Sequence, residues 1–256
     1  MPTGRPLLSD LRQAVRDNLD EDTAAFWTDA QLNRMLTRSA DAVLQEALKV
    51  AEDWFSNGIN SIDGTRTIFG VTYDTTQLQF TPTNSFIVCP PDLLSIRVVE
   101  CLTPGYEWVP VTMNRTVADP DFRIARTGTQ YQAQEPNHFY LAPILGVNTN
   151  SAGPVYVYSP LSSVTLDMRL VYTSSVCIYS TASASKRAFT LDTDELALPH
   201  PLYQAVEELA TMRASMKDAT INAGAWSQMA TNTMNRWMAT ALRQSQDPVY
   251  VQDFGP

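Results

Sequence analysis

The two histidines are the first residues to test for chemistry, because an imidazole is a common general base and a common metal ligand. His138 stands at the head of a predicted strand, and His200 stands between two prolines where a helix is expected to begin. Neither lies in a metal-binding spacing. We therefore expect a structural role for both histidines.

Two groups of carboxylates are the next candidates for catalysis. Asp192, Asp194 and Glu195 precede a predicted helix, where negative charge suits the helix dipole. Glu207 and Glu208 are expected on the solvated face of that helix. The ten glycines form neither a nucleophile elbow, a phosphate-binding loop nor a dinucleotide fingerprint. The sequence therefore predicts a protein that is not an enzyme, with no catalytic residue, no metal site and no cofactor.

The three cysteines, Cys89, Cys101 and Cys177, are an odd number at wide spacing. No second type of metal ligand accompanies them, so neither a disulfide framework nor a metal site is favoured. We expect buried free thiols.

The balance of charge limits the possible partners. The chain has 18 basic and 27 acidic residues, a net charge of −9. This balance argues against a protein that wraps or reads nucleic acid, which needs clustered lysines and arginines. It is compatible with a surface that DNA passes without sticking, and equally with ordinary solubility.

No apolar run approaches the roughly 18 residues of a membrane-spanning helix. Residues 1–6 lack the apolar stretch of a signal peptide. We expect a protein that does not enter a membrane and that is made and kept in the cytoplasm of the cell that produces it.

Helical patterns occupy both ends of the 256-residue chain. A first helix is predicted over residues 9–19, with Ser9 as its cap. A second is predicted over residues 28–56, where Thr28 and Gln31 match a capping box. An Asn-Gly pair at positions 57 and 58 is expected to end it.

A third, long helix is predicted over residues 201–243, because Pro201 suits the first helical position and apolar residues then recur with a period near 3.6. Gly224 is expected to kink or interrupt it. Its second half is rich in methionine and alanine, which adapt to imperfect surfaces. The hypothesis is a helical interface with a neighbouring subunit, formed by Trp226, Met229, Met234 and Trp237.

Short runs of β-branched and aromatic residues separated by turn sequences fill the middle of the chain. They predict an antiparallel sandwich or an open barrel. The expected strands cover residues 68–73, 77–81, 85–89, 96–102, 107–113, 138–142, 155–157 and 164–172.

The fold class predicted from these patterns is α+β, with a helical module built from both chain ends and a central antiparallel β-sandwich or barrel-like insertion. Its expected parts are N-terminal helices at 1–60, a β-rich module at 61–190, a C-terminal long helix at 191–245 and an extended tail at 246–256. The tail keeps apolar residues that suggest a docking arm able to add a strand to a partner's sheet, although it could instead fold back on its own β module. These residues are Val249, Tyr250, Val251 and Phe254.

Three stretches of the chain carry a resemblance to a known family. Residues 27–34 (WTDAQLNR) open the second predicted helix, residues 86–99 (FIVCPPDLLSIRVV) have the pattern of a strand, a proline turn and a strand, and residues 198–219 begin a helix with proline. Together they resemble the head-to-tail connector (adaptor) proteins of tailed bacteriophages. As an order of elements, the resemblance covers nearly the full chain.

This resemblance implies a structural protein of the virion neck, made in the host cytoplasm. It implies a homo-oligomeric ring, usually of twelve copies, that binds the portal protein and presents a surface to the tail or its stopper. DNA would pass through the lumen during genome ejection without sequence-specific binding.

Two other functions remain open at this point. One is another structural protein of a phage tail or baseplate. The other is a glycan-binding or glycan-cleaving β-sandwich of a tail tip, for which an aromatic platform could form only around Tyr106, Trp108 and Tyr131.

Overall fold

The structure, a computed structural model, describes residues 5–21, 26–79, 81, 86–102, 107–110, 112–113, 140–144, 155–157, 165–181, 184–216 and 223–246. Within these ranges the chain is mixed α/β and has four α-helices: α1 (Leu8–Asn18), α2 (Asp29–Ala51), α3 (Pro201–Ser215) and α4 (Ala223–Gln246). The strands in the same ranges are β1 (Ser56–Asn60), β2 (Thr65–Ile68), β3 (Val71–Asp74), β4 (Phe86–Val88), β5 (Leu93–Leu102), β6 (Trp108–Pro110), β7 (Thr112–Met113), β8 (Tyr140–Ile144), β9 (Val155–Val157), β10 (Met168–Ser174), β11 (Ile178–Thr181), β12 (Ala184–Lys186) and β13 (Glu195–Leu196).

The chain divides into two compact units. The helical unit is formed by residues 1–55 and 176–256, and the β unit by residues 56–175. These boundaries differ from those expected at 60 and 190, because residues 56–60 pair within the β unit and residues 176–190 belong to the helical unit.

Helix α1 begins one residue earlier than expected. Leu7 occupies the N-cap position, and its backbone N–H donates to the Asp10 carboxylate at 3.4 Å. The prediction of Ser9 as the cap is therefore wrong. The acidic side chain three residues into the helix satisfies the exposed backbone donor instead.

The start of α2 follows its sequence signature. The Gln31 backbone N–H donates to Thr28 Oγ1 at 3.3 Å, and Gln31 Oε1 accepts from the Thr28 N–H at 3.0 Å. The predicted capping box is confirmed. The expected helix end at Asn57 and Gly58 is wrong, because α2 stops at Ala51 and both residues lie in β1, paired with β10.

The single long helix expected over residues 201–243 is wrong. Pro201 does occupy the first turn of α3, but α3 ends at Ser215 and α4 begins at Ala223. Thr233 Oγ1 donates to Glu208 Oε2 at 2.9 Å, whereas a continuous helix would hold these residues about 37 Å apart. Helix α4 therefore folds back on α3, and Gly224 lies in its first turn.

The core of the helical unit forms where α2 packs against both α3 and α4. Small residues line these contacts, among them Ala40 and Ala47 on α2 and Ala205, Ala210 and Ala214 on α3, so the backbones approach closely. Larger side chains fill the remaining core: Leu8, Leu11, Val15, Leu32, Leu36, Val43, Leu44, Leu202, Val206 and Trp237.

A small antiparallel sheet completes the helical unit. Strand β11 lies between β12 and β13, with Ile178 opposite both Lys186 and Leu196. Cys177, Ile178 and Leu196 join the core formed by the helices. No strand was expected at these positions, because the short apolar runs of the sequence there are interrupted by polar residues.

The β unit contains two four-stranded sheets. The first has the order β1, β10, β5, β6 and is antiparallel throughout. The second has the order β4, β9, β8, β7, and its last pair, β7 and β8, is parallel. The expectation of a purely antiparallel module is wrong at this pair.

Two expected strands of the β unit have other structures. Residues 68–73 contain a tight turn between β2 and β3, where Phe69 and Gly70 have φ angles of 53° and 78°. Two consecutive positive φ angles fit a type I′ hairpin turn. Within residues 77–81, the first two belong to the 3₁₀ turn Thr75–Leu78 instead of a strand.

Candidate interaction surface

Helix α4 presents one buried face and one exposed face. Ala230, Trp237 and Ala241 are buried against the rest of the helical unit, at helical spacing. Met229 lies on another side of the helix and is 43% exposed. The helix can therefore contact its own core and a second molecule at the same time.

The four residues of the predicted helical interface are thus separated by the structure. Trp237 is a core residue, and Met234 packs against the core while remaining partly exposed. Trp226 is half-buried. Met229 is the most exposed of the four, whereas the burial of Trp237 leaves it little surface for a neighbouring subunit. The interface with another subunit stays a prediction.

A groove of about 280 Å³ runs between α2, α3 and α4. Met234 and Met238 supply flexible walls that can adapt to an incoming side chain. The exposed residues Ser227, Thr231 and Asn235 lie along α4 at the groove. The other lining residues are Ala42, Val43, Glu46, Ala205, Leu209 and Ala230. Such a groove suits an apolar ridge of a helix.

A second recess, of about 370 Å³, adjoins Trp237. Trp54 is 45% exposed at its edge, and its ring meets Trp237 edge-on with centroids 5.9 Å apart. The ring centroids of Phe55 and Trp237 lie 6.4 Å apart, and Trp237 Nε1 has no hydrogen-bond partner among the described residues. The recess is also lined by Pro201, Gln204, Thr233, Arg236 and Thr240.

Glu208 fixes α4 against α3. It is 3% exposed and accepts from Gln204 Nε2 at 2.8 Å and from Thr233 Oγ1 at 2.9 Å. Burial, and then the charge of Glu208, raise the pKa of the neighbouring Glu207. The prediction that this carboxylate pair lies on a solvated face is wrong for Glu208, because α4 covers it. Its hydrogen bonds indicate a structural role.

The other carboxylate group is held in ion pairs. Asp192 pairs with Arg12 at 2.8 Å, and Glu195 lies 3.7 Å from Arg5. Asp194 accepts from the Lys186 ammonium at 2.6 Å and from the backbone amides of Thr190 and Leu191 at 2.7 and 2.8 Å. These contacts give all three carboxylates structural partners.

Of the two histidines, only His200 lies within the described residues. His200 occupies the N-cap position of α3, and its ring centroid lies 5.5 Å from that of Tyr203. His138 lies outside the described residues. Within the described ranges, no three histidine, cysteine or acidic side chains are grouped so that they could hold a metal ion.

The cysteines are free and buried, which confirms that prediction. Burial raises the pKa of the Cys89 and Cys177 thiols well above the usual range. Burial, together with the charge of Asp167, raises the pKa of Cys101 to about 11. All three are protonated at neutral pH and are poor nucleophiles.

The aromatic platform considered for a glycan site is only partly described. Trp108 lies on β6, and the Arg169 guanidinium stands over its ring at 5.0 Å from the centroid. Arg169 also pairs with Glu100. One ring face is thus covered, which does not favour sugar stacking there. Tyr106 and Tyr131 lie outside the described residues.

The predicted docking arm, with Val249, Tyr250, Val251 and Phe254, also lies outside the described residues. In the part of the chain that is described, no helix combines the length and the apolar character needed to cross a bilayer. No known family model matches this chain, and no curated protein is significantly similar to it.

Proposed function

We propose that this chain is a structural virion protein, a head-to-tail adaptor that forms a homo-oligomeric ring between portal and tail. The helical unit contributes the contacts between copies, and the β unit is a sandwich or barrel-like insertion. The portal protein and a tail or stopper protein are its partners in the virion neck, and DNA passes through the ring. The sequence resemblance supports this function, and so does the uneven surface of α4.

The observation that carries the proposal is the groove beside α4 together with the exposed Met229. Ser227, Ala230 and Thr231 line the groove, whereas Met229 does not, so these are different patches of one helix. A cyclic ring needs two different patches, one on each neighbour, because its contacts run head to tail. An apolar projection on one copy and a groove on the next satisfy that requirement.

The groove is tested with Thr231→Arg. Thr231 is exposed, so the isolated chain should keep its melting temperature while the long side chain fills the groove. Assembly into rings should be lost, as measured by light scattering and by electron microscopy of particles formed with portal protein. Asn232→Arg is the matched control, because Asn232 is exposed on α4 but does not line the groove. Equal assembly of both variants would contradict the proposal.

The role of the exposed Met229 on α4 is tested with Met229→Asp. This change should prevent ring formation without altering the monomer fold, because the side chain is already accessible. Leu191→Asp is the control, since Leu191 is 55% exposed elsewhere on the helical unit. Copy number is read from the same images. A closed twelvefold ring supports the adaptor, and sixfold or threefold symmetry favours a tail component.

The tail is tested by deleting residues 246–256. If these residues form a docking arm, the melting temperature of the isolated chain stays the same and attachment to DNA-filled heads is lost. A markedly lower melting temperature would show instead that the tail packs on its own chain.

A further inference from the structure

A recess between α2 and α3 brings together three arginines. Arg34 and Arg38 come from α2, and Arg213 comes from the last turn of α3. The recess has a volume of about 340 Å³. Its remaining lining residues are Gln31, Met35 and Met216.

These arginines differ from Arg12, Arg16 and Lys186 of the helical unit, which pair with carboxylates. Arg16, for example, pairs with Glu21 at 3.1 Å and with Asp29 at 2.7 Å. Within the described ranges, no ion pair or side-chain hydrogen bond joins the three recess arginines to another residue. Arg213 Nε is buried without a hydrogen-bond partner among these residues. No acidic side chain in the described part of the chain therefore neutralises this group of cations.

A contribution to helix stability explains the arginine at only one of the three positions. Arg213 near the C-terminal end of α3 interacts favourably with the helix dipole. Arg34 and Arg38 are exposed and lie four residues apart, on the same side of α2, where like charges repel. An anion in the recess would relieve this repulsion.

We propose that Arg34, Arg38 and Arg213 form a binding site for a doubly charged phosphate group. Guanidinium groups bind phosphate oxygens through paired, charge-assisted hydrogen bonds. A phosphate monoester carries close to two negative charges at neutral pH, which suits three cations better than a single carboxylate does. The site goes beyond the adaptor function and does not depend on it.

The test is calorimetric titration of the full chain with sodium pyrophosphate at low ionic strength. One saturable site per chain is expected. Arg38→Gln and Arg213→Gln should each weaken binding by about tenfold or more, since each removes charge-assisted hydrogen bonds. Arg236→Gln is the matched control, because Arg236 lines the separate recess beside Trp54, and it should change the affinity by less than about twofold. Thermal melts verify that each variant is folded.

No saturable binding, or an equal loss in the Arg236→Gln control, would overturn the proposal. Competition then tests the charge of the phosphate. Displacement of pyrophosphate by a small phosphate monoester, but not by a short single-stranded oligonucleotide whose backbone phosphates carry one charge each, supports a doubly charged ligand. Equally strong displacement by the oligonucleotide overturns it. Equally strong displacement by a glutamate-rich peptide overturns phosphate as the ligand.

One further variant tests whether the chain fills the recess itself. Asp218 follows α3 closely in sequence and lies outside the described residues. Unchanged pyrophosphate affinity in Asp218→Asn supports an open site. Tighter binding, by about tenfold, shows that this carboxylate occupies the recess and overturns the proposal.

Discussion

Asp194 in the helical unit and Asp92 in the β unit are both buried, but their pKa values shift in opposite directions. Burial alone would raise the pKa of Asp194. The net shift is nevertheless a lowered pKa of Asp194. The carboxylate accepts hydrogen bonds from the Leu191 and Thr190 amides and from the Lys186 ammonium, and the positive charge of Lys186 adds to their effect.

Asp92 has weaker partners. Its carboxylate accepts hydrogen bonds from Tyr172 Oη at 3.1 Å and Ser174 Oγ at 2.9 Å. Burial raises its pKa, and these hydroxyls offset only part of that effect. The comparison indicates that a facing cation and backbone amides together lower the pKa of a buried carboxylate, whereas hydroxyl donors do not outweigh the effect of burial.

The largest expected effect is from Asp194→Asn, which should lower the free energy of unfolding by about 2–4 kcal/mol at pH 7. It leaves the Lys186 charge uncompensated and replaces an ion pair with a neutral amide. Urea unfolding followed by circular dichroism measures the loss. Asp192→Asn is the control, because the exposed Asp192 pair with Arg12 should contribute less than about 1 kcal/mol. Equal losses in the two variants would contradict a larger stabilising role of the buried Asp194 ion pair.

Acidification should reduce the difference between wild type and Asp194→Asn. Because the folded-state pKa of Asp194 is lowered, its ionised form stabilises the fold above the unfolded-state pKa. That contribution is lost as the pH falls through the lowered folded-state value. Urea unfolding repeated at decreasing pH should show the two proteins converging, and a constant difference would argue against an ionised Asp194.

The same substitution in the β unit should have a small effect of opposite sign. Asp92→Asn should leave the free energy of unfolding within about 1 kcal/mol of wild type at pH 7, or raise it, because it removes a buried charge. The folded-state pKa of Asp92 is raised, so the charge is unfavourable at neutral pH and that cost disappears as the pH falls below the folded-state value. The gain should therefore shrink in acid. A loss as large as that of Asp194→Asn would contradict the expected difference between the two buried carboxylates.

The smallest expected effect is from Glu207→Gln. This variant tests whether the direction of a pKa shift depends on a facing cation or on the unit to which the carboxylate belongs. Glu207 belongs to the helical unit, but burial and the charge of Glu208 raise its pKa. Removing its charge should stabilise the protein slightly, by about 0.5 kcal/mol at neutral pH, because burial disfavours the charged form. Thermal melts at neutral and acidic pH would show the gain disappearing when Glu207 is protonated.

Among the local signals in the sequence, the capping box predicted local structure correctly, whereas Ser9 as a cap and the Asn57–Gly58 pair as a helix end did not. The capping box of Thr28 and Gln31 fixes where α2 begins, because both hydrogen bonds form between residues three apart. The burial of Cys89, Cys101 and Cys177 was also predictable from their type and spacing.

Features that depend on distant residues were missed. The helical period of the apolar residues in both α3 and α4 led to the prediction of one helix, whereas the contact of Glu208 with Thr233 shows that the chain reverses between them. Strands β11 to β13 carry too few apolar residues to be recognised alone. The groove and the arginine recess could not be predicted, because each combines residues from helices far apart in sequence.

The split of the helical unit between two parts of the chain has a consequence for its synthesis. Residues 56–175 separate α2 from the segment that covers it. At about 5–20 residues per second, a ribosome needs roughly 6–24 s to make these 120 residues. During that time the apolar side of α2 lacks α3 and α4, because they have not yet been synthesised. Nascent chains are thus exposed to misassociation during this interval, and chaperones that bind apolar helices should affect the yield more than the final stability.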